Sequence, residues 1–116
     1  MEVRALAAVE AFTTKDGSTI RELVGRGLAR NQSLAEATLA PGQATQRHYH
    51  ARTEEIYVVL SGRGEMEVDG ERGEVAPGDA VLIPPGAWHE LRAGAEELRF
   101  LCCCAPAYAH EDTFFS

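Results

Sequence analysis

The chain has 116 residues, of which 45% are hydrophobic and 25% charged, the length of one domain and the composition of a folded one. This leaves no room for a second independent core and excludes a disordered chain. The net charge of −7, from 18 acidic and 11 basic side chains, repels phosphate backbones and anionic lipid, so neither nucleic acid nor a membrane is an expected partner.

The opening residues 1–9 carry Glu2, a single Arg4 and only a short apolar run, unlike a secretory leader, and no window reaches the length of a membrane span. A short helical turn fits residues 5–11. Strands dominate from there, over residues 18–23, 34–39, 55–60, 64–68, 81–83, 88–91 and 97–104, each short, β-branched or alternating. Turn residues separate them, among them Pro41-Gly42, Asp69-Gly70, Pro77-Gly78-Asp79 and Pro84-Pro85-Gly86. Asp69-Gly70 suits a two-residue hairpin, because both central positions need positive φ. Alternation in residues 65–68 turns Met66 and Val68 inward and Glu65 and Glu67 to water. Seven or so short strands in this spacing make an all-β sandwich or barrel. The tail, residues 105–116, with Pro106, Tyr108, Phe114 and Phe115, reads as a docked terminal segment and not a strand. Three consecutive cysteines, Cys102, Cys103 and Cys104, cannot form a disulfide framework, which points to a reducing cytoplasm.

Two stretches carry chemistry. If His48 and His50 share a strand, the period of two puts both rings on one face with Cα atoms roughly 6–7 Å apart, and two imidazoles so placed can reach one ion at about 2 Å. A turn through residues 51–54 brings Glu55 back beside them. In the second stretch Pro84-Pro85-Gly86 fixes a tight turn, and His89 begins the strand after it.

These stretches resemble the two motifs of the cupin family. The first motif is glycine, five residues, His-x-His, four residues, Glu, six residues and glycine, and Gly42, His48, His50, Glu55 and Gly62 occupy its positions. The second is met by Gly78, Pro84, Gly86 and His89, while Ala93 stands where the family has Asn. The motifs span residues 42–62 and 78–93 of a single domain, 1–116. The resemblance implies a cupin-type jelly-roll β-barrel with a short N-terminal arm and a C-terminal tail. It also implies one divalent transition metal, Fe, Mn, Ni, Cu or Zn, held by His48, His50, Glu55 and His89, with open positions left for a ligand. Glu54 is the competing carboxylate; Glu55 is preferred because its spacing to Gly62 fits the motif and its face also turns Tyr57 and Val59 inward.

Other residues have two readings each. Tyr57, Met66, Trp88 and Leu91 either shape a pocket or fill the core, the core being the commoner fate, and Trp88 faces away from His89 by parity. Arg47 and Arg52 either hold a substrate carboxylate or phosphate or are solvated rim charges. Cys102 and Cys104 share a face that Cys103 does not, and are read first as small apolar residues, otherwise as a reactive thiol near the site. His110-Glu111-Asp112 is a loose acid/base or metal pattern, better read as part of a packed tail. The function expected is a small-molecule enzyme of dioxygenase, isomerase or lyase type, with Tyr57 a proton donor. The alternative is a module that binds a sugar or acid without turning it over. A homodimer is expected, since a small barrel leaves outer strands to be covered, with residues 11–23 and the aromatic tail as contacts.

Overall fold

Short apolar alternations ended by turn residues leave the chain little choice but strands that pair across distance. In the computed structural model, which describes residues 1–116, a single 3-10 turn at Leu6–Ala8 precedes β1 (Phe12–Thr13), β2 (Thr19–Val24), β3 (Ser33–Leu39), β4 (His48–His50), β5 (Glu54–Ser61) and β6 (Gly64–Val68). Then come β7 (Glu71–Val75), β8 (Ala80–Ile83), β9 (His89–Ala93), β10 (Leu98–Ala105), a 3-10 turn at His110–Asp112, and β11 (Thr113–Phe115). They form two antiparallel sheets, one ordered β1-β2-β3-β10-β5-β8 and the other β11-β4-β9-β6-β7. The arrangement is that of a jelly roll, two facing sheets without a hydrogen-bonded closure into one barrel. No helix is long and apolar enough to cross a membrane.

Faces follow the pleat. In β5 burial alternates, with Glu55, Tyr57 and Val59 buried and Glu54, Ile56 and Leu60 exposed. Inner positions of both sheets meet in a core that includes Leu39, Val59, Met66, Leu91, Leu98 and Phe100, each fully buried aliphatic or aromatic side chain contributing about 1.5–3 kcal/mol. At Tyr57 and Phe100 this core gives way to a cavity. The hairpin turn between β6 and β7 is as expected, with Asp69 at φ +49° and Gly70 at φ +86°.

Three expectations change. The polar run Glu71–Val75 is a strand, paired along its whole length with β6, although four of its five residues are exposed. The end of the tail is also a strand: Thr113 to Phe115 pair with His50 to His48. Glu67 does not face open water. It is 6% exposed, because Arg47 lies over it, with Nε donating to Oε1 at 2.8 Å, while Gly70 N–H donates to Oε2 at 2.8 Å. Its carboxyl sits below the ordinary range through the Arg47 hydrogen bond.

Candidate metal centre

Strand pairing gathers the three histidines. β4 and β9 are antiparallel neighbours with His48 directly opposite His89, and His50 shares the face of His48. The rings are 3%, 4% and 0% exposed for His48, His50 and His89. Their centroids lie 4.2 Å apart for His48 and His89, 5.0 Å for His48 and His50, and 5.5 Å for His50 and His89. One ring nitrogen of each lies within 4.8 Å of the others. The Pro84-Pro85-Gly86 turn is tied to this group, since Gly86 N–H donates to the His50 carbonyl at 2.7 Å.

Each ring is anchored through Nδ1. That of His48 is 2.7 Å from the Gln46 carbonyl and that of His89 is 3.0 Å from the Ala87 carbonyl. A carbonyl only accepts, so Nδ1 carries the hydrogen in both. His50 Nδ1 lies 3.1 Å from Thr113 Oγ1. The Thr113 hydroxyl gives its own hydrogen to the Ala109 carbonyl at 3.0 Å, so toward His50 it accepts. Assigned from these partners, all three tautomers leave the Nε2 lone pair free, the form in which histidine binds a metal.

Glu55 arrives from the opposite sheet. Its Oε1 is 3.2 Å from His50 Nε2 and 3.4 Å from His89 Nε2, and its Oε2 accepts from Cys104 Sγ at 3.2 Å. Even so, Glu55 Oε1 and His89 Nε2 are buried with no hydrogen-bond partner. A carboxylate oxygen facing imidazole lone pairs in a dry site is unfavourable, and a cation among them removes the conflict. Three imidazoles with a neighbouring carboxylate suit a borderline divalent ion. Burial works against the Glu55 charge, and the carboxyl is held below the ordinary range only where a positive charge, a proton on His50 or His89 or a bound cation in its place, faces it. Burial, then repulsion from His89, pushes His48 down to about 4, so it stays neutral at pH 7.

Residues 35–104, both motif stretches included, match the Cupin domain family. The chain belongs to the cupin family. An uncharacterised protein of Methanocaldococcus jannaschii is 45% identical to this cupin over 108 residues, 90% of this chain and 86% of that one. A 1-methylthio-D-xylulose 5-phosphate methylsulfurylase of Rhodospirillum rubrum is 35% identical over 103 residues, 86% of this chain and 64% of that protein. The fold matches the structure of KdgF from Halomonas sp. with a TM-score of 0.85 at 18% identity, over 96% of this chain and 98% of that one.

In this cupin His48, His50 and Glu55 open onto a cavity between the two sheets, while His89 is fully buried. Tyr57 lines it, with its ring against Phe100 at 4.8 Å and edge-on to His89 at 6.0 Å. Burial and then the Glu55 charge hold the Tyr57 phenol well above its usual range, so it is a neutral group that keeps its proton. Glu54 is exposed and is not part of the group. Trp88 does face away from His89, packing on Tyr49 at 4.7 Å with the Arg47 guanidinium 5.0 Å from its ring. Arg47 is thus engaged on the outer face, and the Arg52 side chain is exposed. Cys102 and Cys104 line the cavity, where burial pushes both thiols up and keeps them protonated. The His110–Asp112 cluster serves the tail: Asp112 accepts from the Arg52 and Thr53 N–H groups, and Glu111 pairs with Arg26 at 2.6 Å.

Thr113, Cys104 and Asp16 are the neighbours that the motifs do not announce. Asp16-Gly17-Ser18 has the composition of an Asx turn, and Ser18 N–H and Oγ both donate to Asp16 Oδ1, at 2.9 and 2.6 Å. Only the fold shows that this turn lies over β4, where Gln46 N–H donates to the Asp16 carbonyl at 2.7 Å.

Proposed function

We propose that this cupin is a small-molecule enzyme of dioxygenase, isomerase or lyase type, with one divalent transition metal held by His48, His50, His89 and Glu55. The observation that carries the proposal is the buried pair without partners, Glu55 Oε1 and His89 Nε2, where Glu55 with His48 and His50 lines a cavity. When bound, the ion would supply Lewis acidity and an open position for an oxygen donor. The chain's own residues do the rest. The Nδ1 anchors hold the three rings in register, Cys104 steadies Glu55 through Oε2, and the apolar wall around Phe100 limits water. Tyr57, which burial keeps protonated, is the group that donates a proton to a substrate oxygen. Small-molecule chemistry in the Rhodospirillum rubrum relative supports the enzymatic class, while this chain spans 64% of that protein's length.

The same proposal includes a homodimer, supported by exposed Phe12 in the arm and Phe114 in the tail, 51% and 42% accessible, and a reducing compartment for the free thiols. The test is elemental analysis of wild-type protein and of His50→Ala, followed by oxygen-uptake and keto-acid or sugar conversion assays with Fe(II) or Mn(II). One equivalent of metal, lost in the variant, with turnover that falls in Tyr57→Phe, is the expected outcome. Equal metal in both proteins refutes the site, and metal without turnover points to the binding module.

A further inference from the structure

The cavity has an unbalanced charge. None of the 11 Lys and Arg residues lines it, whereas three carboxylates do, those of Asp16, Glu22 and Glu55. Arg52, two residues from His50, is exposed and does not line it, and four other arginines near it in sequence are paired elsewhere. Arg47 pairs with Glu67, Arg26 with Glu111, and Arg21 and Arg99 both with Glu36. A divalent ion set against three carboxylates leaves one net negative charge. A phosphate ester brings close to two more, with no lysine or bidentate arginine to receive them.

The rest of the wall is apolar in the main: 10 of the 19 lining residues are hydrophobic, Phe12, Ile20, Phe100 and Phe115 among them. Among its polar residues, Asp16 joins a free carboxylate oxygen to a fixed backbone. Ser18 occupies its Oδ1, leaving Oδ2 for a ligand donor. Its backbone is fixed relative to the histidines, because Gln46 donates its N–H to the Asp16 carbonyl and accepts the His48 Nδ1–H through its own.

We infer that the cavity takes an uncharged, hydroxyl-bearing, partly apolar substrate and rejects phosphate esters, with Asp16 reading the hydroxyl. The inference rests on the proposed metal site and deepens it, and it separates this chain from the relative whose name specifies a 5-phosphate substrate. Benzyl alcohol and benzyl phosphate make a matched pair of probes, one aromatic ring each and differing only in the polar group. They would be titrated into the cobalt-loaded protein at pH 7.5, read by calorimetry and by the visible Co(II) absorption, after cobalt content is measured. Benzyl alcohol is expected to bind at least tenfold tighter than benzyl phosphate. Asp16→Asn should weaken benzyl alcohol at least fivefold and strengthen benzyl phosphate, and Glu22→Gln, at the exposed mouth, should strengthen benzyl phosphate alone. Far-UV circular dichroism establishes that both variants fold, and Glu22→Gln carries the charge test if Asp16→Asn does not. Benzyl phosphate binding within threefold of benzyl alcohol, or no benzyl alcohol binding, overturns the inference while leaving a cobalt-loaded site intact. A protein that takes up no cobalt overturns the metal site and the inference with it.

Discussion

Thr113→Val isolates the contribution of the tail to the metal centre. Valine keeps the shape of threonine and removes the hydroxyl that accepts from His50 Nδ1 at 3.1 Å and donates to the Ala109 carbonyl at 3.0 Å. His50 is 4% exposed, so water does not readily replace the lost acceptor. A buried donor left unsatisfied costs about 1–3 kcal/mol, and loss of a partner that orients a ligating histidine weakens metal binding by roughly 10–100-fold. The two figures agree, since each tenfold is about 1.4 kcal/mol. Competition with a chelating indicator for Zn(II) or Co(II) measures the change directly, with Thr113→Ser as the control that restores the hydroxyl. Weakening of at least tenfold in the valine variant, recovered in the serine variant, is expected. Affinity unchanged within threefold in Thr113→Val, with normal circular dichroism, would refute the tautomer assigned to His50 and the free Nε2 that follows from it.

Leu98, fully buried between the sheets, should lose about 2.7–5 kcal/mol on change to Ala, a fall of roughly 10–20 °C in Tm at about 4 °C per kcal/mol; a drop under 3 °C would mean that the core collapses around the gap. Gly62 sits at φ +81°, where a Cβ would collide with the Glu97 carbonyl, so Gly62→Ala should destabilise by more than about 1 kcal/mol in urea titrations. Gly70→Ala is the comparison, strained at φ +86° but with open space around it, and an equal loss in both would assign the effect to φ alone. Glu67 has a folded pKa below its ordinary value of 4.5, set first by the Arg47 hydrogen bond. Its contribution is therefore present above the unfolded pKa and lost as pH falls through the folded one. Glu67→Gln should flatten the loss of stability below about pH 4 in denaturant titrations, and an acid limb identical to wild type would remove Glu67 as its cause.

The two motifs make His48, His50, Glu55 and His89 legible because each motif encodes a local geometry: the pleat places His48 and His50, and the Pro84-Pro85-Gly86 turn launches His89. Tyr57 and Val59 follow from Glu55 by parity alone. What escapes the sequence is set by partners far along the chain. Glu67 alternates with core residues and so reads as solvent-facing, but Arg47, in the segment that leads into β4, covers it. Thr113 meets His50 only because β11 pairs with β4, and nothing near Thr113 specifies that pairing. β7 is too polar to stand out and becomes a strand because the Asp69-Gly70 turn folds it back on β6. Asp16 announces its own turn but not the site beneath that turn.

β11 is three residues long and ends its sheet, so it opens at a lower free energy than the strands that carry the core. Each opening releases Thr113 from His50 and uncovers one side of β4, whose other side is held by β9 at His48 and by the Gly86 N–H at His50. Exchange of a bound ion with solvent would then be timed by fraying of this strand and not by unfolding of the sandwich, which would make the residence time of a metal a kinetic property of the tail.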